Sequence, residues 1–374
     1  RIEVIMNFND AKGSAELVLL ANQVPLLVGE TGIGKSSLAR TIANQEGWAL
    51  EIIDGNLLKE GEIGGLPTVQ EVTKQGADGS LKRESITVYA VHHTLSAIDR
   101  LAEEGRKVLL FIDEINRCEH SVQQELMNLI LNREINGYKL PDSVAIMAAM
   151  NPDNEFDYQT VDMDAAQKNR FVWLPMEVDY MQWLDWAMEA KLDPKVIEFI
   201  STYPDYLYKH EEGGIDATPR SYERVSQLYQ TYKAHEGRFT DQQFEAVVRG
   251  NVGDLITKAF VAFLKRQDGP LIAYEDLYGS DEAWKALPGR LEEEKPTRIY
   301  VATKHIMKRL EGEVVFLSPA DRQAKLERFI DYLKLCPMDL MVAAMKDMAQ
   351  DTPHLYTFLM AEESFVNAYY EAVI

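Results

Sequence analysis

Residues 28–40, "VGETGIGKSSLAR", hold three glycines, a lysine and two serines in one short run. An apolar, strand-like segment, "VPLLV" (24–28), precedes the run, and a good helix former, "SSLARTIANQ" (36–45), follows it. The spacing Gly29-x-x-x-x-Gly34-Lys35-Ser36 fits a phosphate-binding loop. Glycines let the backbone wrap a polyphosphate, so that successive N–H groups point at its oxygens. The helix behind the loop turns its positive end toward the same anion. The loop residues Gly29, Glu30, Thr31, Gly32, Ile33, Gly34, Lys35, Ser36 and Ser37 are therefore the candidate nucleotide contacts. Lys35 would reach the β- and γ-phosphates of ATP, and the Ser36 hydroxyl would bind Mg²⁺. The plain alternative, a glycine-rich turn, does not account for the strand before the run and the helix after it.

Working outward, four more apolar runs follow in the first half: "ALEII" (49–53), "VLLFI" (108–112), "VAIMAAM" (144–150) and "FVWLP" (171–175). They are continuous and do not alternate, which marks a parallel sheet buried on both faces. Helical stretches at 35–45, 94–104, 121–132 and 164–169 lie between them, so the fold class is α/β. Beyond Pro175 only helices are expected. They cover 179–190, 193–203 and 218–234, and 240 to about 267 with an interruption at Gly250 and Gly253. More are expected near 297–311, from Ser318-Pro319 onward, and over 337–349 and 353–372. A Gly/Pro/acid-rich connector is expected over 268–295. Trp183 and Trp186, at i and i+3, are expected to pack in a core.

Two further motifs carry chemistry. "VLLFIDEINR" (108–117) ends an apolar strand in Asp113-Glu114, at the strand end where ligands sit in open α/β sheets. Asp113 is a hard oxygen ligand for Mg²⁺, and Glu114 is the candidate to polarise an attacking water. In "AIMAAMNP" (145–152) a second buried strand ends in Asn151, whose amide can bond both a γ-phosphate and the attacking water. An ordinary acidic turn and an Asn-Pro turn opener are the structural alternatives.

The chain resembles AAA+ ATPases, and more closely their MoxR-type and dynein-related, helix-2-insert branch. The matching stretches are "GETGIGKS", "FIDEINR", "MNP", "KNRF" and "ATPRS", in that order, over about residues 15–235. The resemblance implies a P-loop NTPase core with a five-stranded parallel sheet in the order 5-1-4-3-2, an α-helical lid and a helical C-terminal extension. It divides the chain into a core (1–175), a lid (176–267), the connector (268–295) and a C-terminal helical region (296–374). An insert hairpin is expected over 61–91. A pre-sensor hairpin is expected over 133–144, where Asn136-Gly137 is a strong turn signal. Arg170 resembles the arginine finger, which acts on the neighbouring subunit's nucleotide, and Arg220 resembles sensor 2. Arg117 is a candidate contact with a neighbouring subunit. A homo-oligomeric ring, most often a hexamer, is implied. So is a protein client or a partner with a von Willebrand A-type domain.

Composition narrows the partners. The net charge is −21, from 39 basic and 60 acidic residues, and such a body repels DNA. Residues 61–85 carry four acids and three bases, a poor phosphate tracker. A protein client is thus favoured over two alternatives: a nucleic-acid motor of the restriction-related branch, and a module that nucleotide only switches. Two cysteines give no disulfide framework, no apolar run is long enough to span a membrane and no leader is recognisable, so a cytoplasmic protein is expected. His92-His93 are adjacent and are expected to point apart. Cys118-x-His120 lacks two further ligands, so no metal besides Mg²⁺ is expected.

Overall fold

The computed structural model describes residues 5–75, 81–152, 163–211, 214–265 and 271–373. The chain divides into two compact units, Arg1–Gln182 with Thr218–Arg220, and Trp183–Ala217 with Ser221–Ile374.

In chain order the strands are β1 (Pro25–Val28), β2 (Ala49–Asp54), β3 (Pro67–Gln75), β4 (Leu81–Tyr89), β5 (Val108–Asp113), β6 (Glu134–Ile135), β7 (Tyr138–Lys139), β8 (Val144–Met150) and β9 (Val172–Pro175). Five of them form one parallel sheet in the order β2-β5-β8-β1-β9. Numbered as core strands, that is 2-3-4-1-5, the expected order read from the other edge. The chain leaves β1 for the far edge at β2, returns through β5 and β8, and adds β9 on the opposite side of β1. Residues 108–112 are buried one after another, as are 146–150, so neither face of these strands meets water.

The helices of the first unit are α1 (Phe8–Leu20), α2 (Lys35–Glu46), α3 (His93–Glu103), α4 (His120–Asn132) and the short α5 (Ala165–Lys168). Helix α1 packs on β1 and β9, α2 on β2, β5 and β8, and α3 on β2 and β5. Residues such as Ile53, Leu95, Ile98, Leu110, Leu126 and Ile146 close the core. His92 caps α3, its Nδ1 accepting from the Thr94 N–H at 3.3 Å. That turn brings the His92 and His93 rings to 4.2 Å between centroids, so they do not point apart as expected.

Two hairpins stand outside the sheet. Strands β3 and β4 pair antiparallel from Pro67↔Tyr89 to Gln75↔Leu81 and are largely exposed on both faces. The glycine-rich tip expected for this hairpin, residues 76–80, lies outside the described residues. Strands β6 and β7 close over Asn136 and Gly137, both at positive φ, as the turn signal predicts. Asn136 has a second role: its Nδ2 donates to the Gly64 oxygen at 2.8 Å, while the Gly64 N–H donates to Glu125 on α4 at 3.3 Å. The foot of the long hairpin is thereby held by the short one and by α4. Burial raises the Glu125 carboxyl above its ordinary range.

The remaining helices are α6 (Tyr180–Glu189), α7 (Pro194–Thr202), α8 (Pro219–Ala234), α9 (Asp241–Lys265), α10 (Tyr274–Tyr278), α11 (Asp281–Glu293), α12 (Pro296–Val314), α13 (Pro319–Leu335), α14 (Met338–Asp351), α15 (Pro353–Leu359) and α16 (Glu363–Val373). Helix α9 breaks at Gly253 and not at Gly250, because Gly253 alone leaves helical geometry (φ 78°, ψ 174°). The expected connector, 268–295, instead holds α10 and α11. Ser280 caps α11, and Leu287 and Leu291 bury its inner face. The expected helix over 353–372 is two helices, broken between Leu359 and Glu363. Trp183 is buried as expected, but Trp186 is 42% exposed. Within the second unit Arg298 pairs with Glu198 and Glu294, both at 2.7 Å. Lys304 is buried among Asp185, Asp347 and Asp351.

Candidate nucleotide site

The sequence run that opens the chain's reading becomes a loop between β1 and α2. Its backbone is shaped by Gly32 at φ 77° and Gly34 at φ 104°. A Cβ on Gly32 would stand 2.6 Å from the Thr218 hydroxyl, so only glycine lets the loop lie against Thr218. Gly34 is the N-cap of α2 and offers no side-chain acceptor to the helix's first N–H groups. Glu30 is half-buried, Ile33 is buried, and Thr31 and Ser37 are exposed.

Lys35 is folded into the loop and only 7% exposed. Its Nζ donates to the Gly29 oxygen at 2.6 Å, to the Glu30 oxygen at 2.8 Å and to Asn151 Oδ1 at 2.8 Å. Burial pushes its pKa down to about 8, against the opposing pull of Asp113, Glu114 and Glu30. One residue on, Ser36 Oγ donates to Asp113 Oδ2 at 2.6 Å. Two of the oxygens expected to serve Mg²⁺ are thus already together. Both are hard donors, and a magnesium ion that keeps waters and phosphate oxygens needs few protein ligands, so this pair fits it. Among the described residues no group of three or more His, Cys, Asp or Glu could hold a metal.

Glu114 follows with φ 52°, a left-handed conformation rare for a side chain of its size. The turn that holds it is tightly bonded. The Glu114 N–H donates to Asp113 Oδ1 at 3.0 Å, the Arg117 N–H to the Glu114 oxygen at 2.9 Å and the Ile115 N–H to the Ala149 oxygen at 3.1 Å. Arg117, read as a candidate contact with a neighbour, pairs within its own chain: its Nη1 lies 3.2 Å from Glu114 Oε1.

Asn151 is buried at the end of β8. Its Oδ1 accepts from Lys35, and its Nδ2 has no partner among the described residues. Lys35, Ser36, Asp113, Glu114 and Asn151 are therefore brought together. Arg170, between α5 and β9, and Arg220, in the first turn of α8, belong to the same compact unit. Both are exposed, and neither side chain bonds a described residue.

Three supporting residues escape a motif-by-motif reading. Asn116, buried, donates from Nδ2 to the Asn151 main-chain oxygen at 2.9 Å. Gly55, just past β2, leaves no room for a Cβ, which would lie 2.9 Å from the Glu114 oxygen. Thr218 packs on Gly32. All three stand within or beside quoted motifs, but only the fold gives them partners.

Residues 25–171 match the AAA domain of the dynein-related subfamily. No curated protein is similar to the chain at a significant level. Among solved structures, the Holliday junction branch migration motor RuvB of Thermotoga maritima is 13% identical, over 94% of this chain and 87% of that one, with a TM-score of 0.36. A Cytophaga hutchinsonii protein titled an ATPase is 13% identical, over 70% and 93%, with a TM-score of 0.32. At such scores these two likenesses carry no argument. By this match and the parallel sheet, residues 25–171 form an AAA+ ATPase domain of the dynein-related subfamily.

Proposed function

We propose that the chain is a ring-forming remodelling ATPase of the MoxR type, acting in the cytoplasm on a protein partner, with a von Willebrand A-type domain protein as the expected class. The observation that carries the ATP chemistry is the meeting of three strand ends: Lys35 on Asn151, and Ser36 on Asp113. Lys35 binds the β- and γ-phosphates once it leaves its loop oxygens. Ser36 and Asp113 hold Mg²⁺, which screens phosphate charge when bound. Glu114 orients the attacking water and takes its proton. Asn151 bonds the γ-phosphate through its unpartnered Nδ2. Arg170 serves the site of the adjacent protomer in a hexameric ring, and Arg220 contacts phosphate from the lid.

The protein-client half rests on the β3–β4 hairpin. It is exposed on both faces, presents Val69 and Leu81 to solvent, and pairs Lys74 with Glu84 at 2.7 Å. An arm with so little net charge suits a polypeptide better than a phosphate backbone. The test is capture of a partner by Glu114→Gln in ATP, compared with Lys35→Ala in ATP. Binding restricted to the first variant supports the reading. Turnover stimulated by DNA or RNA, with a strong salt dependence, overturns its protein-client half.

A further inference from the structure

Arg117 leaves the Asp113–Glu114 turn at the point where that turn is fastened to β8 by the Ile115 and Asn116 bonds. Its guanidinium is little exposed and lies on Glu114 Oε1. Its charge also bears on Lys35, whose proton affinity it lowers. Arg117 is thus a second cation within the field of the phosphate-binding lysine, and it occupies the carboxylate expected to activate water.

One oxygen of a carboxylate so paired is engaged by the guanidinium and is not free to take a hydrogen bond from water. A guanidinium presents a fork of donors that suits phosphate as well as carboxylate. A terminal phosphate brings more charge than one carboxylate does, and so competes for the fork. A nucleoside diphosphate ends at its β-phosphate and places no such group at the γ-position.

We propose that Arg117 is an ATP-sensing residue that pairs with Glu114 in the absence of a triphosphate and moves to the γ-phosphate when ATP binds, releasing Glu114 to orient water. The swap rests on the ATPase reading of the site. It makes the base available only when there is something to hydrolyse, and it needs no neighbouring subunit.

The experiment is a binding cycle with fluorescent ADP and a fluorescent, non-hydrolysable ATP analogue, both with Mg²⁺. The proteins are the parent, Arg117→Ala, Glu114→Gln and the double variant, with Arg117→Lys as a second substitution should Arg117→Ala misfold and Lys35→Ala as control. Arg117→Ala should weaken the triphosphate about tenfold or more and leave ADP within twofold. Glu114→Gln should tighten the triphosphate several-fold, because the guanidinium loses its competitor, and that gain should vanish in the double variant. Arg117→Lys should fall between parent and Arg117→Ala. Equal losses for ADP and triphosphate would make Arg117 a prop of the turn and overturn the swap. So would no loss at all, or a gain in Glu114→Gln that persists without Arg117. A parent and a Lys35→Ala control that bind both nucleotides alike would instead sink the site reading itself, a pattern distinct from the others.

Discussion

The Asn116 carboxamide donates to the main-chain oxygen of Asn151 at 2.9 Å, which fastens the loop after β5 to the end of β8. Asn151 in turn accepts from Lys35 through its own side chain. Three strand ends are joined in this way, and Glu114 and Asn151 cannot shift independently. Without Asn116, an acceptor at this buried junction loses its donor, at a cost of about 1–3 kcal/mol.

Glu114→Gln should lower ATP turnover by about 10²–10⁴ while binding ATP at least as tightly as the parent, since the amide keeps the shape and loses the base. Phosphate release measured at saturating ATP checks this. Turnover within a few-fold of the parent would remove Glu114 from its role.

Lys35 sets a pH dependence. Its folded pKa is about 8, below the ordinary lysine value of about 10.4 that the unfolded chain has. Below pH 8 both states hold the proton, and the folded state bears the cost of the buried charge. Between pH 8 and about 10.4 the folded state gives up its proton first, so this group's contribution to stability rises with pH. Nucleotide affinity moves the other way, because phosphate needs the charged form. ATP binding should weaken as pH rises through 8 and should take up a proton near pH 8–9, measurable by calorimetry in buffers of different ionisation enthalpy. Lys35→Ala should bind ATP about a hundredfold more weakly and show neither effect.

Arg170→Ala should bind ATP nearly as the parent does and lose turnover, since an arginine supplied from the next subunit contributes about 10³–10⁵ in rate. Lys35→Ala subunits are left largely empty at ATP concentrations that fill the other variant, but still offer Arg170. Mixed assemblies of the two variants should therefore exceed either alone. A lack of recovery at every ratio, with co-assembly verified by sizing, would reject the shared site.

Gly55→Ala should reduce turnover more than stability. The added methyl meets the Glu114 oxygen at 2.9 Å and the Asp113 oxygen at 3.2 Å, both backbone atoms of the turn that carries the acid pair. The strain, about 1–3 kcal/mol, falls on the position of Glu114. A melting temperature a few degrees lower with turnover unchanged would show that the turn tolerates the shift.

The sheet was legible because strands buried on both faces must be apolar throughout, and residues 108–112 and 144–150 read that way. The loop and its lysine were legible because phosphate binding demands glycines at fixed spacing. Helix α1 was not foreseen. It buries chiefly Ala11, Ala15 and Leu19, small residues that make a faint stripe, and Gly13 interrupts it; Asn7, its cap, was the available signal. Helices α10 and α11 were read as a connector because Gly279, Pro288 and many acids dominate the stretch, while Leu277 on α10 and Leu287 and Leu291 on α11 mark the buried side. Pairs such as Lys35 with Asn151, 116 positions apart, depend on strand order and leave no local trace.

Helix α2 begins at a glycine that gives its first N–H groups no side-chain acceptor. A capping side chain there would add about 1 kcal/mol to the fold. The missing cap makes the domain's resistance to unfolding a function of its ligand: an anion on those N–H groups serves as the cap, and its binding energy becomes folding energy. At a concentration a hundred times its dissociation constant, nucleotide would add about 2.7 kcal/mol. Nucleotide depletion would then lower the stability of the domain along with its turnover.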